Sequence, residues 1–488
     1  MTQQSALKIQ DQAPPETGHD ARGGPALLVV LCLAQFMVAL DATVVNVALP
    51  SITRSLGFAA GDAQWVVTSY LLCTGGLTLL GGRAADLWGR RRMALAGLVV
   101  FAVASLASGL AGDAVTLIVA RGAQGIGAAL LSPAGLSIIT TTYTGARRTA
   151  ALSTWGAVGA GGFAAGLLVG GMLTTWASWH WVFFINLPVA ALAVVVIPLL
   201  APPDTSQSGR RRGLRQLAPG GPLAITAGLV SLVYALSTSA GHGWAAPATV
   251  ATLVAAVALI AVFAVVERTS PRAFVPRALW RNRSLLAGAG LMFAATAILA
   301  GTLLLTTFVL QQQLHASALR TGLDYLPFAV MIGLAAHLGP HILSRLGTRA
   351  AAGAGLLIVA GGEALLVAAP PHASYVRWLL PAFVVLGAGT GLVFVAASVT
   401  AMARVAPEHT GAASGLLATG HEIGGGLGVA VLTTIAATAG TDPAGLALAA
   451  GRHAGYLTAA LAAAAFALLA AGLVPKIRPD GHHRIAIH

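Results

Sequence analysis

Fourteen stretches of roughly twenty apolar residues recur along the chain, at about 26–50, 64–82, 93–111, 114–139, 153–174, 181–200, 221–240, 247–266, 284–310, 322–343, 350–369, 376–402, 411–437 and 454–474. Each is long enough to cross the hydrocarbon core of a bilayer, about 30 Å, as a helix. Inside lipid a backbone must satisfy its own hydrogen bonds, so helices are the solution available to single runs of this length. Most of the runs are apolar all round, which suits helices surrounded by lipid or other helices. The expected fold is therefore an all-α membrane protein. Of 488 residues, 57% are hydrophobic and 9% charged, which excludes most soluble enzymes. The first 24 residues are polar, and the apolar run after them is too long for a signal-peptide core, so a retained first helix is expected. Cys32 and Cys73 both lie inside apolar runs and read as packing residues.

The charges are lopsided, 28 Lys+Arg against 15 Asp+Glu, for a net of +13. Nucleic-acid binding would need them gathered on one face or arm. Here they come in twos to fives between the apolar runs, so no nucleic-acid partner is expected. Cytoplasmic loops of membrane proteins are rich in Lys and Arg. With the N-terminus inside, the inner loops hold 18 of these cations and the outer loops hold four, Arg54, Arg320, Arg377 and Arg452. Both termini are expected in the cytoplasm, with an even number of spans. One cation is left inside a span, Arg121.

A long-period repeat divides the chain. Gly81, Gly89 and Arg91 recur 258 residues later as Gly339, Gly347 and Arg349, and the Gly-rich run from Gly156 resembles that from Gly411, 255 residues on. Repeats of this kind place a transporter's solute site between two halves. The expected organisation is a tail at 1–25, a six-helix bundle at 26–200, a basic linker with two extra helices at 201–283, a second six-helix bundle at 284–475 and a tail at 476–488.

No nucleotide-hydrolysing loop is possible, because the only lysines are Lys8 and Lys476 and neither follows glycine. No Gly-x-Ser-x-Gly occurs, and His421-Glu422 lacks a second zinc-binding His. No enzyme activity, cofactor or metal is expected. Solute movement driven by an ion gradient remains, and intramembrane ionisable groups are its machinery. Asp41 lies about 13 Å from Pro50 and Arg121 about 12 Å from Asp113, at 1.5 Å per residue, so the two can meet at one level. An Asp whose Arg partner moves away would bind and release a proton; a static pair is the other reading. Glu422, beside Gly424, Gly425 and Gly426, suits a cationic solute, a proton or structure equally. Glu363 and Asp324 read as acids near the outer surface, and His337 and His421 as packing histidines.

At these residues the chain resembles the major facilitator superfamily and, within it, the drug/proton antiporters with fourteen helices. Leu40-Asp41-Ala42-Thr43-Val44-Val45-Asn46-Val47-Ala48-Leu49-Pro50 is similar to the branch's first-helix signature. Gly82-Arg83-Ala84-Ala85-Asp86-Leu87-Trp88-Gly89-Arg90-Arg91 resembles the superfamily's loop between helices 2 and 3. Arg121-Gly122-Ala123-Gln124-Gly125-Ile126-Gly127 is similar to the helix-4 motif, and Trp179-His180-Trp181 through Pro188 to the entry of helix 6, with His180 where Arg is commoner. The resemblance spans about residues 26–475. It implies a major facilitator fold of two six-helix bundles plus two inserted helices, with Asp41 and Arg121 coupling protons. Glu422, Gln124, Asn46 and Trp65 would face the solute, and Gly82, Asp86, Gly89 and Arg90 would gate the inner face. Gly166, Gly170 and Gly171 match the antiporter helix, but Leu167 replaces its proline, so nothing there removes a backbone bond to bend it.

The function this implies is proton-coupled export of small amphipathic or cationic compounds by a monomer in a bacterial inner membrane. Ala- and Gly-rich composition with Arg far above Lys hints at a GC-rich genome, which fits a dedicated exporter of a host-made antibiotic. A membrane sensor that binds a ligand without transporting it is the alternative of another class.

Overall fold

The computed structural model describes residues 24–58, 62–204, 217–270, 273–370, 373–406, 409–439 and 446–477. Among them there are helices and no strands. The long helices are α1 (Pro25–Leu56), α2 (Trp65–Trp88), α3 (Arg90–Gly109), α4 (Ala114–Thr142), α5 (Gly145–Trp176), α6 (Asn186–Leu200), α7 (Gly220–His242), α8 (Pro247–Thr269), α9 (Arg283–Phe308), α10 (Leu326–Ala368), α11 (Leu380–Met402), α12 (Thr410–Ala439) and α13 (Leu446–Leu473). The basic cluster Arg210, Arg211, Arg212 and Arg215 and most of both tails lie outside the described residues.

Among the described residues thirteen helical spans are long and apolar enough to cross a membrane, against the fourteen expected. The difference lies in one span, Ala318–Ala368, which takes in both apolar runs at 322–343 and 350–369. At the junction of those runs Gly347 is non-helical, at φ 80°, ψ 163°, so α10 consists of two helical segments that meet there at a kink. A second difference concerns α1, which continues past Pro50 to Leu56 and is ended by Gly57 in the left-handed region. Pro50 is tolerated because the helix absorbs its missing N–H while packed on every side; Pro50 itself is buried.

The side of the membrane on which α1 begins is called here the near side. In the first bundle α1 packs on α5, and α4 on both α2 and α3; in the second α9 packs on α12, and α10 on α11 and α13. The inserted hairpin, α7 and α8, lies against α2 and α12. Trp65 at the start of α2 meets Tyr234 of α7, ring centroids 6.5 Å apart.

The repeat seen in the sequence has a structural counterpart. Gly89 joins α2 to α3 at φ 105° and Gly347 bends α10 at φ 80°, conformations costly for any residue with a Cβ. Each turn is held by the chain leaving the last helix of its own half. After α6, Asp204 accepts from the backbone N–H of Arg91 (3.0 Å) and Arg92 (3.2 Å). After α13, Thr348 donates its N–H to Ile477 O and its hydroxyl to Pro475 O, and Arg349 Nε donates to Val474 O.

The halves meet tightly on the far side. A Cβ on Gly171 would stand 2.5 Å from Ala318 O, and one on Gly322 2.6 Å from Leu167 O. Gln311 Nε2 donates to Val47 O (2.8 Å), Leu319 N–H to Thr175 Oγ1 (2.9 Å), Gln64 Nε2 to Ser237 Oγ (2.7 Å), and Thr433 Oγ1 to Gln64 Oε1. On the near side the same helices part. Between Ala151 and Gly162 of α5 no residue is fully buried: Leu152 and Trp155 lean on the first bundle, and the face turned away from it is exposed. Gly333 on the facing stretch of α10 likewise has no neighbour for an added Cβ. The halves therefore enclose a cleft that opens to the near side.

Candidate functional site

All the long helices of the first bundle except α5 contribute to one buried polar cluster. Asp41 of α1 and Arg121 of α4 form an ion pair at 2.5 Å, both with no exposure. Arg121 Nε donates to Val66 O of α2 (3.0 Å) and its Nη1 also reaches Gln124 Oε1 (2.9 Å). Its guanidinium lies 4.3 Å from the ring centre of Tyr70 and 5.8 Å from that of Phe183, contacts that favour a cation where water is excluded. Asp41 Oδ1 accepts from Gln124 Nε2 (3.1 Å) and Asn186 Nδ2 (2.7 Å). Ser105 of α3 ties the amides together, accepting from both and donating to Phe183 O. Ser108 donates to Gln124 Oε1.

The α5 glycines lie directly behind this cluster. A Cβ at Gly162 would stand 2.8 Å from Phe36 O, at Gly166 2.6 Å from Leu40 O and at Gly170 2.5 Å from Val44 O. That i, i+4 stripe lets α5 lie backbone to backbone along the stretch of α1 that carries Asp41. Gly171, one residue further round, faces the other half instead, and α5 runs unbroken through Leu167.

The sequence-derived candidates separate into three groups. Asp41 and Arg121 meet as expected, and Gln124, expected at the solute, is instead fully buried between them. Asn46 is buried one and a half turns further along α1, with Oδ1 unpartnered. Trp65 packs on the inserted hairpin. Glu422 lies on the seam between the halves, its Cβ facing Gly75 of α2, with one oxygen 3.5 Å from His421 Nδ1 and the other unpartnered. Tyr70 of α2, on whose ring Arg121 lies, donates its hydroxyl to Val38 O of α1 and so ties α2 to the cluster. At the near-side turn Gly82 faces Pro133, Arg90 opens α3, and Asp86 is exposed; the anion set against the start of α3 is Asp204.

Sequence reasoning missed Asn186, Ser105, Tyr70 and Asp204. Asn186 stood inside a quoted motif, where its polar side chain amid apolar neighbours was the available signal. Three readings are corrected by burial. Glu363 and Asp324, taken as acids near the surface, are 0% and 4% exposed. Asp324 accepts from Arg320 Nε at 2.9 Å, which shields it from solvent at the start of its span. Arg452, assigned to an outer loop, lies within α13 at 8% exposure and donates to Gln313 Oε1 and Ala369 O. Arg121 is thus not the only cation inside a helix.

The sequence profile of the Major Facilitator Superfamily matches residues 31–429. The chain is 41% identical to the puromycin resistance protein pur8 of Streptomyces alboniger, over 90% of this chain and 88% of that protein. It is 37% identical to the cephamycin export protein CmcT of Amycolatopsis lactamdurans, over 86% of this chain and 87% of that one. Among solved structures, a peptide transporter in complex with sulfate matches at a TM-score of 0.65 and 18% identity, covering 91% of this chain and 93% of the other.

Proposed function

Because the chain belongs to the major facilitator superfamily, we propose that it is a proton-coupled exporter of antibiotic-type small molecules across a bacterial plasma membrane, with both termini in the cytoplasm. Relatives named for antibiotic resistance and export support the cargo class. The cleft would then open to the cytoplasm and load solute from there. The observation that carries the coupling is the Asp41–Arg121 pair, sealed inside the first bundle with three side-chain donors aimed at the two carboxylate oxygens.

Each charge alone would cost at least ~2.5–3.5 kcal/mol at mid-membrane, so the pair has to stay together or exchange partners in step. A proton arriving at Asp41 displaces a donor, and Arg121 is the one whose charge no longer has a counterpart. Arg121 is packed on Tyr70 and bonded to Val66 O of α2, and α2 forms the seam with α12 at Glu422. Repacking of Arg121 therefore reaches the seam on which the halves rock. Gly166 and Gly170 let α1 and α5 move as one piece, and the near-side turn around Gly82, Asp86, Gly89 and Arg90 sets the closed limit. The wall of the cleft by Glu422 receives the solute. One proton crossing ~100 mV supplies about 2.3 kcal/mol, and one pH unit about 1.4. Together they sustain a solute gradient of several hundred-fold.

Everted vesicles holding an acid-interior gradient test this with puromycin as probe. Addition is expected to discharge the gradient in the wild type and to leave it standing in Asp41→Asn. An Asp41→Asn protein that discharges it at the wild-type rate removes Asp41 from the mechanism. A resistance profile across unrelated compounds in a pump-deficient host separates a broad exporter from one dedicated to a single antibiotic.

A further inference from the structure

A second acid lies in the other half, and the Asp41 cluster does not use it. Glu363 sits on α10, five residues or about 8 Å before its far end, with no exposure. Thr302 of α9 donates to its Oε1 at 2.6 Å; its Oε2 is buried with no partner. The surroundings explain the isolation. α11 presses Leu386 against Gly362, the residue before Glu363. α9 offers hydroxyls only, Thr302 and, one turn on, Thr306, which donates to Thr302 O and pairs with Tyr456 Oη of α13 at 2.9 Å. The titratable groups facing this spot are Tyr456 and, one turn further out on α13, Arg452, which is bonded to Gln313 and Ala369 O. Tyr325 is engaged with Thr307 and Leu303 O, and Asp324 with Arg320. Among the described residues no Lys or Arg pairs with Glu363, in contrast to Asp41.

A carboxylate shut away from water needs a counter-ion or several donors. Glu363 has one neutral donor on one oxygen, an arrangement that fits a carboxylic acid: carbonyl oxygen Oε1 accepts from Thr302 and Oε2 carries the hydrogen. We propose that Glu363 is a second proton-binding site, which holds its proton in this near-side-open arrangement. Each bundle then contains one proton site, and two protons moved per cycle would square the solute ratio that one sustains. The assignment does not depend on Asp41 being the coupling acid.

The test is infrared spectroscopy of the full-length chain in lipid bilayers. At pH 7 the wild type is expected to show a protonated-carboxyl C=O stretch that fades reversibly on alkalinisation. One component of it should be missing from Glu363→Gln and retained in Asp41→Asn. In Thr302→Val that component should persist and move to higher frequency, because its carbonyl oxygen has lost its donor. If Glu363→Gln does not fold, the Thr302→Val shift decides the question. A wild type without the band at pH 7, a Glu363→Gln spectrum identical to it, or an unmoved band in Thr302→Val would overturn the assignment.

Discussion

Two glycines on one helix, five residues apart, predict opposite outcomes from the same added methyl group. At Gly161 of α5 a Cβ meets nothing within 4 Å, so alanine brings only its better helix propensity, about 0.5–1 kcal/mol. At Gly166 the same atom would stand 2.1 Å from Thr43 Oγ1, 2.6 Å from Leu40 O and 3.2 Å from Val44 N. Ordinary contact starts near 3.4 Å, so α5 must retreat by about 0.8 Å from a backbone carbonyl that cannot rotate away. Thr43 must also turn, although its hydroxyl is bonded to both Phe163 O and Leu40 O. Overpacking of this kind costs about 1–3 kcal/mol, and a lost hydrogen bond adds about 1. Set against the gain in propensity, Gly166→Ala should be about 1–3 kcal/mol less stable than the wild type and Gly161→Ala slightly more stable. Unfolding can be followed on the detergent-solubilised protein with a thiol-reactive fluorophore, because Cys32 is buried and Cys73 half-buried until the bundle opens. A Gly166→Ala melting temperature equal to or above that of Gly161→Ala would refute the account of α5 as a helix laid backbone to backbone on α1. Transport should fall with it, since Leu40 to Val44 is the turn that carries Asp41.

Asn186→Leu removes the 2.7 Å donor to Asp41 and should destabilise the first bundle by about 1–3 kcal/mol, read as a lowered melting temperature. Asp204→Ala takes away the acceptor for two N–H groups at the start of α3 and should cost about 1 kcal/mol, with Asp204→Asn recovering part of it. Gln64→Leu cuts the link between α2, α7 and α12 on the far side and should raise the labelling of a cysteine placed at Ser51 by a bulky impermeant thiol reagent; unchanged labelling would mean that this link does not hold the far side shut. Burial holds the His180 imidazole below its ordinary value, so the stability it contributes is present above pH 6.5 and lost as pH falls through the lowered value. A melting profile between pH 7 and 5 should accordingly be flatter for His180→Gln.

The architecture was legible because lipid leaves little choice: a run of twenty apolar residues in a bilayer is a helix, whatever its neighbours. The Asp41–Arg121 pair was legible for the same reason, since two opposite charges at matching depth cannot afford to stay apart. Glu363 was misplaced because counting residues to the end of a run gives depth along the membrane normal and nothing about direction. Whether an acid eight ångströms deep faces water or Thr302 is settled by which side of α10 meets α9. Gln124 went astray likewise: a polar residue three positions after Arg121 can turn to the cleft or bond the arginine, and only packing decides. The span count differed at Gly347, where two helices follow one another across a kink with no loop to separate them.

The paired turns at Gly89 and Gly347 make each half a closed ring, its early loop stitched to its own trailing end by Asp204 in one and by Val474, Pro475 and Ile477 in the other. Neither stitch borrows a residue from the opposite half. A chain cut between the halves and produced as two polypeptides should therefore leave both rings intact and able to find each other in the membrane. The same autonomy would let one ancestral ring be copied, and its copies diverge, without either having to learn a new way of closing.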